Sequence, residues 1–292
     1  MSQSFLLDTS AFRSLSKEAL ELVSNYHALY TSPFCFWELL THLDEYKDFE
    51  RAKGQFMKFT HIQVLDDPYA AVESPWLLEN TELKDRPPDE DLIYATLAPL
   101  KASTSLEEFY LARIADSQGR QYEVNGCVAR AREDLHKAED KFTGFIESVL
   151  DLMRRGQIQY EASEDRHRAV LSLVEGWIIR LQQQGASGSG MREALTAGTY
   201  VYCSYVFHRA IDYFRRNKIK LDRNDYGDVA LCLHIALNTP YCVVAGDQDI
   251  RSILMETISL LKNTNQPQFV TTLRTIDVAE IRNLSLPTDP AN

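Results

Sequence analysis

Short apolar runs of strand length alternate with helical segments at both ends of this chain. The runs are Ser4–Leu7, Ala28–Thr31, His61–Leu65, Tyr241–Ala245 and Gln268–Thr272. The first three are followed by residues that end strands and cap helices, namely Asp8, Ser32 and Asp67. Parallel strands need long crossover connections, which are usually helices. The pattern therefore predicts an α/β fold of three layers, with a central, mostly parallel sheet flanked by helices.

Strand signals disappear between about Tyr69 and Leu221, where apolar residues recur at helical spacing. The predicted helices are Asp89–Leu100, Ser105–Arg120, Cys127–Arg155, Glu164–Gln184 and Met191–Arg216. A Gly/Ser segment at residues 185–190 interrupts them, and it lacks the preceding strand and the G-K-[ST] of a phosphate loop. We therefore expect a split α/β domain formed by residues 1–68 and 221–292, and an all-helical inserted lobe formed by residues 69–220.

Composition and motif content restrict the functional classes. The net charge of −11 argues against a surface that binds nucleic acid everywhere, although it permits a local basic patch. The number of cysteines, five, is odd, and they are widely spaced in the sequence. Both features are typical of reduced core residues in a cytosolic protein. No window approaches the roughly 20 apolar residues of a membrane span. The absence of an H-E-x-x-H or G-x-S-x-G motif disfavours zinc and serine hydrolases. We expect a soluble, cytoplasmic protein without a membrane partner.

Four acidic residues occupy places where a predicted strand ends or a helix begins, namely Asp8, Glu38, Asp228 and Asp247. Ligands of open parallel sheets bind beyond the carboxyl ends of the strands, and Asp8 and Asp247 both follow predicted strands. Glu38 and Asp228 would enter the same region from neighbouring helices. Gathered carboxylates repel one another unless protons or cations offset their charge. Hard oxygen ligands suit Mg²⁺ or Mn²⁺, and such a site can support phosphodiester hydrolysis.

The same residues carry a resemblance to a known family. The runs that carry it are Phe5–Ala11, Thr31–Pro33 with Glu38, Asp228–Ala230 and Val243–Asp249. In order and local setting they are similar to the four signatures of PIN-domain nucleases, and they cover about the first and last quarters of the chain. The resemblance implies a PIN-like fold and a Mg²⁺- or Mn²⁺-dependent endoribonuclease. The implied catalytic residues and metal ligands are Asp8, Glu38, Asp228 and Asp247, with Asp225 and Asp249 as auxiliary ligands. The connection between Glu38 and Asp228 is far longer than in compact members of the family.

Each acidic residue also has a purely structural interpretation. Asp8 and Asp247 suit helix caps, whereas Asp225 and Asp228 suit the first turn of a helix, where the macrodipole favours negative charge. Glu38 lies among apolar neighbours in the sequence, where a buried, unpaired carboxylate would be costly. For Glu38 the alternative to metal binding is therefore a salt bridge or a position facing solvent.

A basic stretch precedes the C-terminal acidic residues. Its cations are Arg209, Arg215, Arg216, Lys218, Lys220 and Arg223. A positive approach beside a metal centre would steer a polynucleotide backbone, whereas the alternative is a set of solvated or dipole-paired side chains. The hydroxyl groups of Thr9 and Ser10 are candidates for contact with a substrate phosphate, with helix capping as their alternative. Aromatic side chains between Tyr200 and Phe214 have helical spacing and are expected to pack in the core.

The sequence is compatible with three functions. The first is cleavage of RNA with Mg²⁺ or Mn²⁺, and the second is cleavage of single-stranded or branched DNA by the same chemistry. The third is a catalytically inactive PIN-like scaffold whose helical lobe binds a protein partner. Compact PIN domains include toxin ribonucleases, so an antitoxin is one expected partner and a second copy in a homodimer is another. Fold analogy alone does not transfer such a role.

Overall fold

The computed structural model describes residues 2–77, 89–217, 225–237, 241–263 and 274–284. The strands, numbered along the chain, are β1 Ser4–Leu7, β2 Ala28–Thr31, β3 Gln63–Val64, β4 Arg113–Ala115, β5 Gln121–Glu123, β6 Tyr241–Val244 and β7 Arg274–Ile276. The α-helices are α1 Thr9–Ser14, α2 Lys17–Ser24, α3 Pro33–Thr41, α4 Phe49–Phe56, α5 Pro68–Glu73, α6 Asp89–Ala102, α7 Leu106–Tyr110, α8 Val124–Arg154, α9 Ser163–Gln183, α10 Met191–Arg215, α11 Asp225–Leu231, α12 Gln248–Asn263 and α13 Val278–Leu284.

Five strands from the two ends of the chain form one parallel sheet in the order β3-β2-β1-β6-β7. β1 lies in the centre, with Leu7 in register with Thr31 of β2 on one side and with Val244 of β6 on the other. Phe5, Leu6 and Leu7 are at most 1% exposed, which is typical of parallel strands covered on both faces. The predicted α/β class with a parallel sheet is therefore confirmed, whereas its likeness to PIN domains stays a prediction.

Two hydrophobic cores cover opposite faces of the sheet. One contains Leu6 and Val243 and packs the sheet against α9, α10, α11, α12 and the C-terminal part of α8. The other contains Phe5, Leu7 and Val244 and packs it against α1 to α4, α6, α13 and the N-terminal part of α8. Alternate residues of a strand point to opposite faces, so β1 supplies both cores. The middle helices thus contribute to both layers, and the division at residues 68 and 221 stays a prediction.

The middle region contains a β-hairpin, which corrects the prediction of an all-helical lobe. β4 and β5 pair antiparallel with Ile114 opposite Tyr122, inside or just after the segment predicted as the helix Ser105–Arg120. The turn between them is organised by Asp116, whose carboxylate accepts hydrogen bonds from two backbone N–H groups of the turn and from the Tyr122 hydroxyl. Gly119 adopts a positive φ of 78° there. These local bonds and the glycine override the apolar periodicity, and α7 is the helical part that remains.

Several predicted boundaries move because capping side chains and short turns interrupt the apolar pattern. The predicted helix Ala11–Tyr26 is two helices, since the Ser16 hydroxyl caps the start of α2. β3 is shorter than predicted, because a 3-10 turn occupies Met57–His61. Asp67 caps α5, as predicted. The predicted strand Gln268–Thr272 lies outside the described residues.

The cysteines have the core character expected of them. All five are free thiols, and Cys35, Cys203 and Cys232 are buried. Within the ranges that the structure describes, no helix combines the length and the apolar character needed to cross a membrane.

Candidate active site at the carboxyl edge of the sheet

Asp8 follows β1 directly and is held where the central strand meets β6. Its backbone N–H donates to the carbonyl of Val244 at 3.1 Å. Its carboxylate accepts hydrogen bonds from the Ala11 N–H at 2.5 Å, the Ser10 hydroxyl at 2.8 Å and the Gly246 N–H at 3.2 Å. The residue is 2% exposed, and burial raises the pKa of its carboxyl group although these donors oppose the shift. Asp8 is therefore both the cap of α1 and a buried carboxyl group with a fixed orientation.

Gly246 lets the loop after β6 approach Asp8. A Cβ atom on this residue would lie 2.6 Å from the Ser10 hydroxyl oxygen and 2.8 Å from the Ala11 nitrogen, closer than real Cβ atoms come to such neighbours. The Gly246 N–H can therefore reach the carboxylate only because the residue has no side chain. This glycine was not among the residues predicted to be functional, although its place between an apolar strand and Asp247 was a signal for close backbone approach.

Asp247 and Asp249 lie at the start of α12, but their side chains have different neighbours. Asp247 is exposed, and its Oδ1 accepts a hydrogen bond from the Asp249 N–H at 2.6 Å. The backbone N–H of Asp247 also stabilises the Asp8 carboxylate. Asp249 instead pairs with Arg209, with 2.9 Å between Oδ2 and Nη1. Since Arg209 is only 5% exposed, Asp249 compensates a buried cation, whereas Asp247 faces solvent beside Asp8.

Glu38 reaches the same edge from α3, which begins with the predicted serine cap and proline. The Glu38 side chain is 34% exposed, and its Oε1 lies 3.3 Å from the Arg13 guanidinium. Its Oε2 lies 3.5 Å from the place where a Cβ atom of Gly227 would stand. The salt bridge considered for Glu38 is thus present, and its carboxylate also lies beside α11, the helix that carries Asp228.

The Cys35 thiol lies near both Asp8 and Glu38. Burial raises the pKa of this thiol to about 12, with smaller upward contributions from the charges of Glu38 and Asp8. Hydroxyl groups of Thr31 and Thr9 are its hydrogen-bond partners. These interactions place the ends of β1 and β2, the start of α1 and the middle of α3 in one neighbourhood.

Asp228 lies on α11, immediately after Gly227, and is partly buried. Its carbonyl oxygen accepts a hydrogen bond from the Cys232 thiol at 3.4 Å. Burial raises the pKa of that thiol well above its usual value, and the charge of Asp228 adds to the shift. α11 begins at Asp225, whose side chain lies outside the described residues. Gly227 places this helix against Glu38, so Asp228 is carried by an element that borders the edge.

Asp8, Glu38 and Asp247 thus lie at one edge of the sheet on separate segments of the chain, and the helix that carries Asp228 lies beside Glu38. Their chemistry fits Mg²⁺ or Mn²⁺, because the edge offers carboxylate and hydroxyl oxygens. Within the described residues, however, no group of three or more His, Cys, Asp or Glu side chains is arranged to hold a metal ion. The Asp8 oxygens accept hydrogen bonds from protein donors. A metal site of four carboxylates therefore stays a prediction.

The predicted substrate-binding cations that the structure describes mostly have partners within the protein. Arg209 is buried against Asp249, and the Arg216 guanidinium lies 2.8 Å from Asp212. The Arg215 guanidinium lies over an aromatic ring, 5.8 Å from its centroid. The remaining predicted cations, Lys218, Lys220 and Arg223, lie outside the described residues. Arg215 and Arg216 are therefore the exposed members of the set for which the structure gives positions.

A cavity of about 430 Å³ opens beside Glu38, and the sequence patterns did not reveal it. Its lining includes Phe34, Glu38, Arg132, His136, Tyr226 and Gly227. Phe34 precedes Glu38 by one helical turn, so the two side chains lie on the same face of α3. Tyr226 precedes Asp228 by two residues. In the sequence, the feature that could have identified these two aromatic residues as part of the site is their short spacing from a predicted acidic ligand.

No protein-family model matches the chain, and neither a curated protein nor a solved structure shows a significant match to it. The support for a function therefore comes from the site itself.

Proposed function

We propose that this protein is a Mg²⁺- or Mn²⁺-dependent phosphodiesterase that cleaves RNA internally. The observation that carries the proposal is the approach of acidic residues from separate segments to the carboxyl edge of β1 and β6, where parallel sheets bind ligands. The proposed metal ligands are Asp8, Glu38, Asp228 and Asp247. Asp225 stays an auxiliary candidate, whereas the ion pair between Asp249 and Arg209 favours a positioning role for Asp249.

A divalent ion held at this edge would polarise a phosphodiester oxygen and lower the pKa of an attacking water. The protein would contribute oxygen ligands in a fixed arrangement that is accessible to solvent. Ala11, Ser10 and Gly246 fix the carboxyl group of Asp8. Its raised pKa means that an isolated negative charge there is costly, and this cost falls when positive charge lies beside it. Glu38 is partly exposed and Asp247 is exposed, so both carboxylates are accessible from solvent at the edge.

A polyanionic substrate is supported by the exposed Arg215 and Arg216 at the end of α10, because backbone phosphates bind through local positive potential. The choice of RNA over DNA rests on the resemblance to PIN-domain nucleases. Matched RNA and DNA oligonucleotides are therefore compared in the test, and cleavage of DNA alone would replace RNA as the substrate.

Asp247→Asn is the most informative variant for this proposal. Asparagine caps helices about as well as aspartate, so the Asp249 N–H keeps its acceptor while the charge is removed. We expect cleavage of a labelled single-stranded RNA with Mn²⁺ to fall by at least about 100-fold, with unchanged thermal unfolding. Glu147→Gln, an exposed position on α8, is the matched control and should retain activity. Equal cleavage by Asp247→Asn and the unaltered protein would refute the assignment.

One observation favours a second candidate function, a catalytically inactive scaffold that binds a protein partner. It is the lack, among the described residues, of three metal-ligating side chains within reach of one another. Calorimetric titration with Mn²⁺ separates the two candidates. Heat of binding that disappears in Asp247→Asn supports the nuclease, whereas no heat at millimolar Mn²⁺ together with no cleavage supports the scaffold.

A further inference from the structure

A second and larger cavity adjoins the one beside Glu38. It has a volume of about 790 Å³, within the range of small-molecule binding sites. We call it the aromatic cleft, because its walls include Phe34, Tyr69, Phe145, Trp177, Tyr202 and Tyr226. Sequence patterns did not predict it, since these side chains come from α3, α5, α8, α9, α10 and α11 and meet only in the folded chain.

The rings of the aromatic cleft are held in place by one another. Phe34 and Tyr226 meet edge to face, with 5.5 Å between centroids and 87° between planes. Tyr69 stacks with Trp177 at 6.2 Å, and Trp177 meets Tyr202 edge to face at 5.0 Å. Phe34, Tyr69 and Phe145 are only partly buried, so they keep ring surface for a ligand. A planar aromatic group could therefore stack here without rearrangement of the walls.

A carboxylate gives the aromatic cleft a polar side. Glu73 lines it, and its Oε1 accepts hydrogen bonds from the Trp177 indole N–H at 2.8 Å and from Arg180 at 2.5 Å. Burial raises the pKa of Glu73, and the charge of Arg180 opposes that shift. A carboxylate has about four lone-pair positions, so Glu73 keeps acceptor capacity for an amino group of a ligand. Lys141 and Arg180 also line the cleft and are exposed, and Lys141 suits a phosphate, whereas Arg180 is paired with Glu73. Asp67 and Asp134 are the other acidic residues of the lining.

The aromatic cleft lies next to the proposed active site. Phe34 and Tyr226 line both this cleft and the cavity that contains Glu38 and Gly227. Along the chain, Phe34 stands one helical turn before Glu38, and Tyr226 stands two residues before Asp228. A strand with one base in the cleft would thus continue past the acidic edge.

We propose that the aromatic cleft binds one unpaired nucleobase of the substrate strand, with preference for bases that carry an exocyclic amino group. The identification of the ligand as part of a nucleic-acid strand rests on the proposed function. Stacking on aromatic faces is how proteins hold unpaired bases, and a carboxylate accepts hydrogen bonds from amino groups of bases. A purely apolar ligand would leave the remaining lone-pair positions of Glu73 unused. A cationic ligand would compete with Arg180, which already lies 5.0 Å from the Trp177 ring centroid.

The test is calorimetric titration of the full chain with mononucleotides in EDTA, so that no metal chemistry contributes. The probes are GMP, CMP and UMP, with ribose 5-phosphate as the probe that lacks a base. We expect Phe34→Leu to weaken binding of all three nucleotides by at least about fivefold, because it removes a stacking face and keeps apolar volume. Glu73→Gln should weaken GMP and CMP more than UMP. Tyr26→Leu, which removes an aromatic ring that is 71% exposed elsewhere, is the matched control.

Urea unfolding of each variant shows whether a loss of binding reflects a loss of folding, and Phe145→Leu replaces Phe34→Leu if the latter is unstable. Ribose 5-phosphate that binds as tightly as GMP overturns the proposal, and so do unchanged affinities in folded Phe34→Leu and Glu73→Gln. Activity of the unaltered protein on RNA is measured separately. Nucleotide binding that depends on Phe34 in a protein without nuclease activity retains the base site and refutes only the nuclease function.

Discussion

Two charged regions meet at the start of α12, and they differ in how their charges are compensated. The acidic edge consists of Asp8, Glu38, Asp228 and Asp247, whereas the arginine cluster consists of Arg166, Arg209, Arg215 and Arg216 with Asp212, Asp249 and Glu256. In the arginine cluster, opposite charges lie 2.8 to 3.6 Å apart. At the acidic edge, Asp8 is held by N–H and O–H donors of the protein, and Asp247 is exposed beside it. Paired charges support the fold, whereas a carboxyl group whose pKa is raised by burial marks a candidate site.

Asp247 and Asp249 give this comparison its sharpest test, because they are two residues apart and belong to different regions. We expect Asp247→Asn to lower kcat/KM on RNA by at least about 100-fold with little change in stability. We expect Asp249→Asn to retain activity and to lower the free energy of unfolding by about 1–3 kcal/mol, because the buried Arg209 loses its nearer carboxylate. Steady-state kinetics and urea unfolding of both variants are the measurements. If Asp249→Asn is as inactive as Asp247→Asn, Asp249 belongs to the acidic edge.

The next largest effect concerns the stability of the acidic edge itself. Asp8→Asn places an amide N–H₂ among the donors of Ala11, Ser10 and Gly246, so at least one buried donor loses its acceptor. We expect the free energy of unfolding, measured with urea, to fall by about 1–3 kcal/mol. Asp48→Asn is the matched control, since Asp48 is an exposed cap of α4 and asparagine caps equally well. Identical losses in the two variants would mean that Asp8 is only a helix cap.

The raised pKa of Asp8 also predicts how its contribution depends on pH. Its folded pKa lies above the value of 3.8 expected for the unfolded chain, so between these two values the folded state binds more protons. The stability that Asp8 contributes is therefore fully present below pH 3.8 and is lost as pH rises through the folded pKa. The difference in unfolding free energy between the unaltered protein and Asp8→Asn should shrink over this window, by at most about 1.4 kcal/mol per pH unit. A difference that grows with pH contradicts the raised pKa.

The contrast between the two regions also explains which features the sequence could predict. β1, β6 and the capping roles of Asp8 and Asp67 follow from local patterns of apolar and capping residues, and the structure has them. The hairpin around Asp116 was missed because its turn depends on side-chain bonds that compete with helical periodicity. The pairing of Arg209 with Asp249 joins residues far apart in the sequence, and no local pattern reports it.

Within the site, the sequence pattern predicted the acidic residues but not the residues that surround them. Asp8 and Asp247 were identified because a strand precedes each of them. The close approach of Gly246 depends on the space left by Ser10 and Ala11, which only the packed structure defines. The aromatic cleft likewise joins rings from six helices, so the spacing along any one helix carries no sign of it.

The smallest predicted effect lies at the exposed end of the arginine cluster. Arg216 pairs with Asp212 at 2.8 Å, but its side chain is 57% exposed, so solvent screens the pair and Arg216→Gln should lower the free energy of unfolding by less than about 1 kcal/mol. If Arg216 contacts a backbone phosphate, the slope of log affinity for RNA against log salt should decrease in magnitude by about 0.7. Fluorescence anisotropy of a labelled RNA from low to moderate salt measures that slope, with Arg154→Gln, near the end of α8, as the control. An unchanged slope in Arg216→Gln would assign the pair of Arg216 and Asp212 to the support of the fold, and Arg215 would then be the exposed cation of the arginine cluster left to contact the substrate.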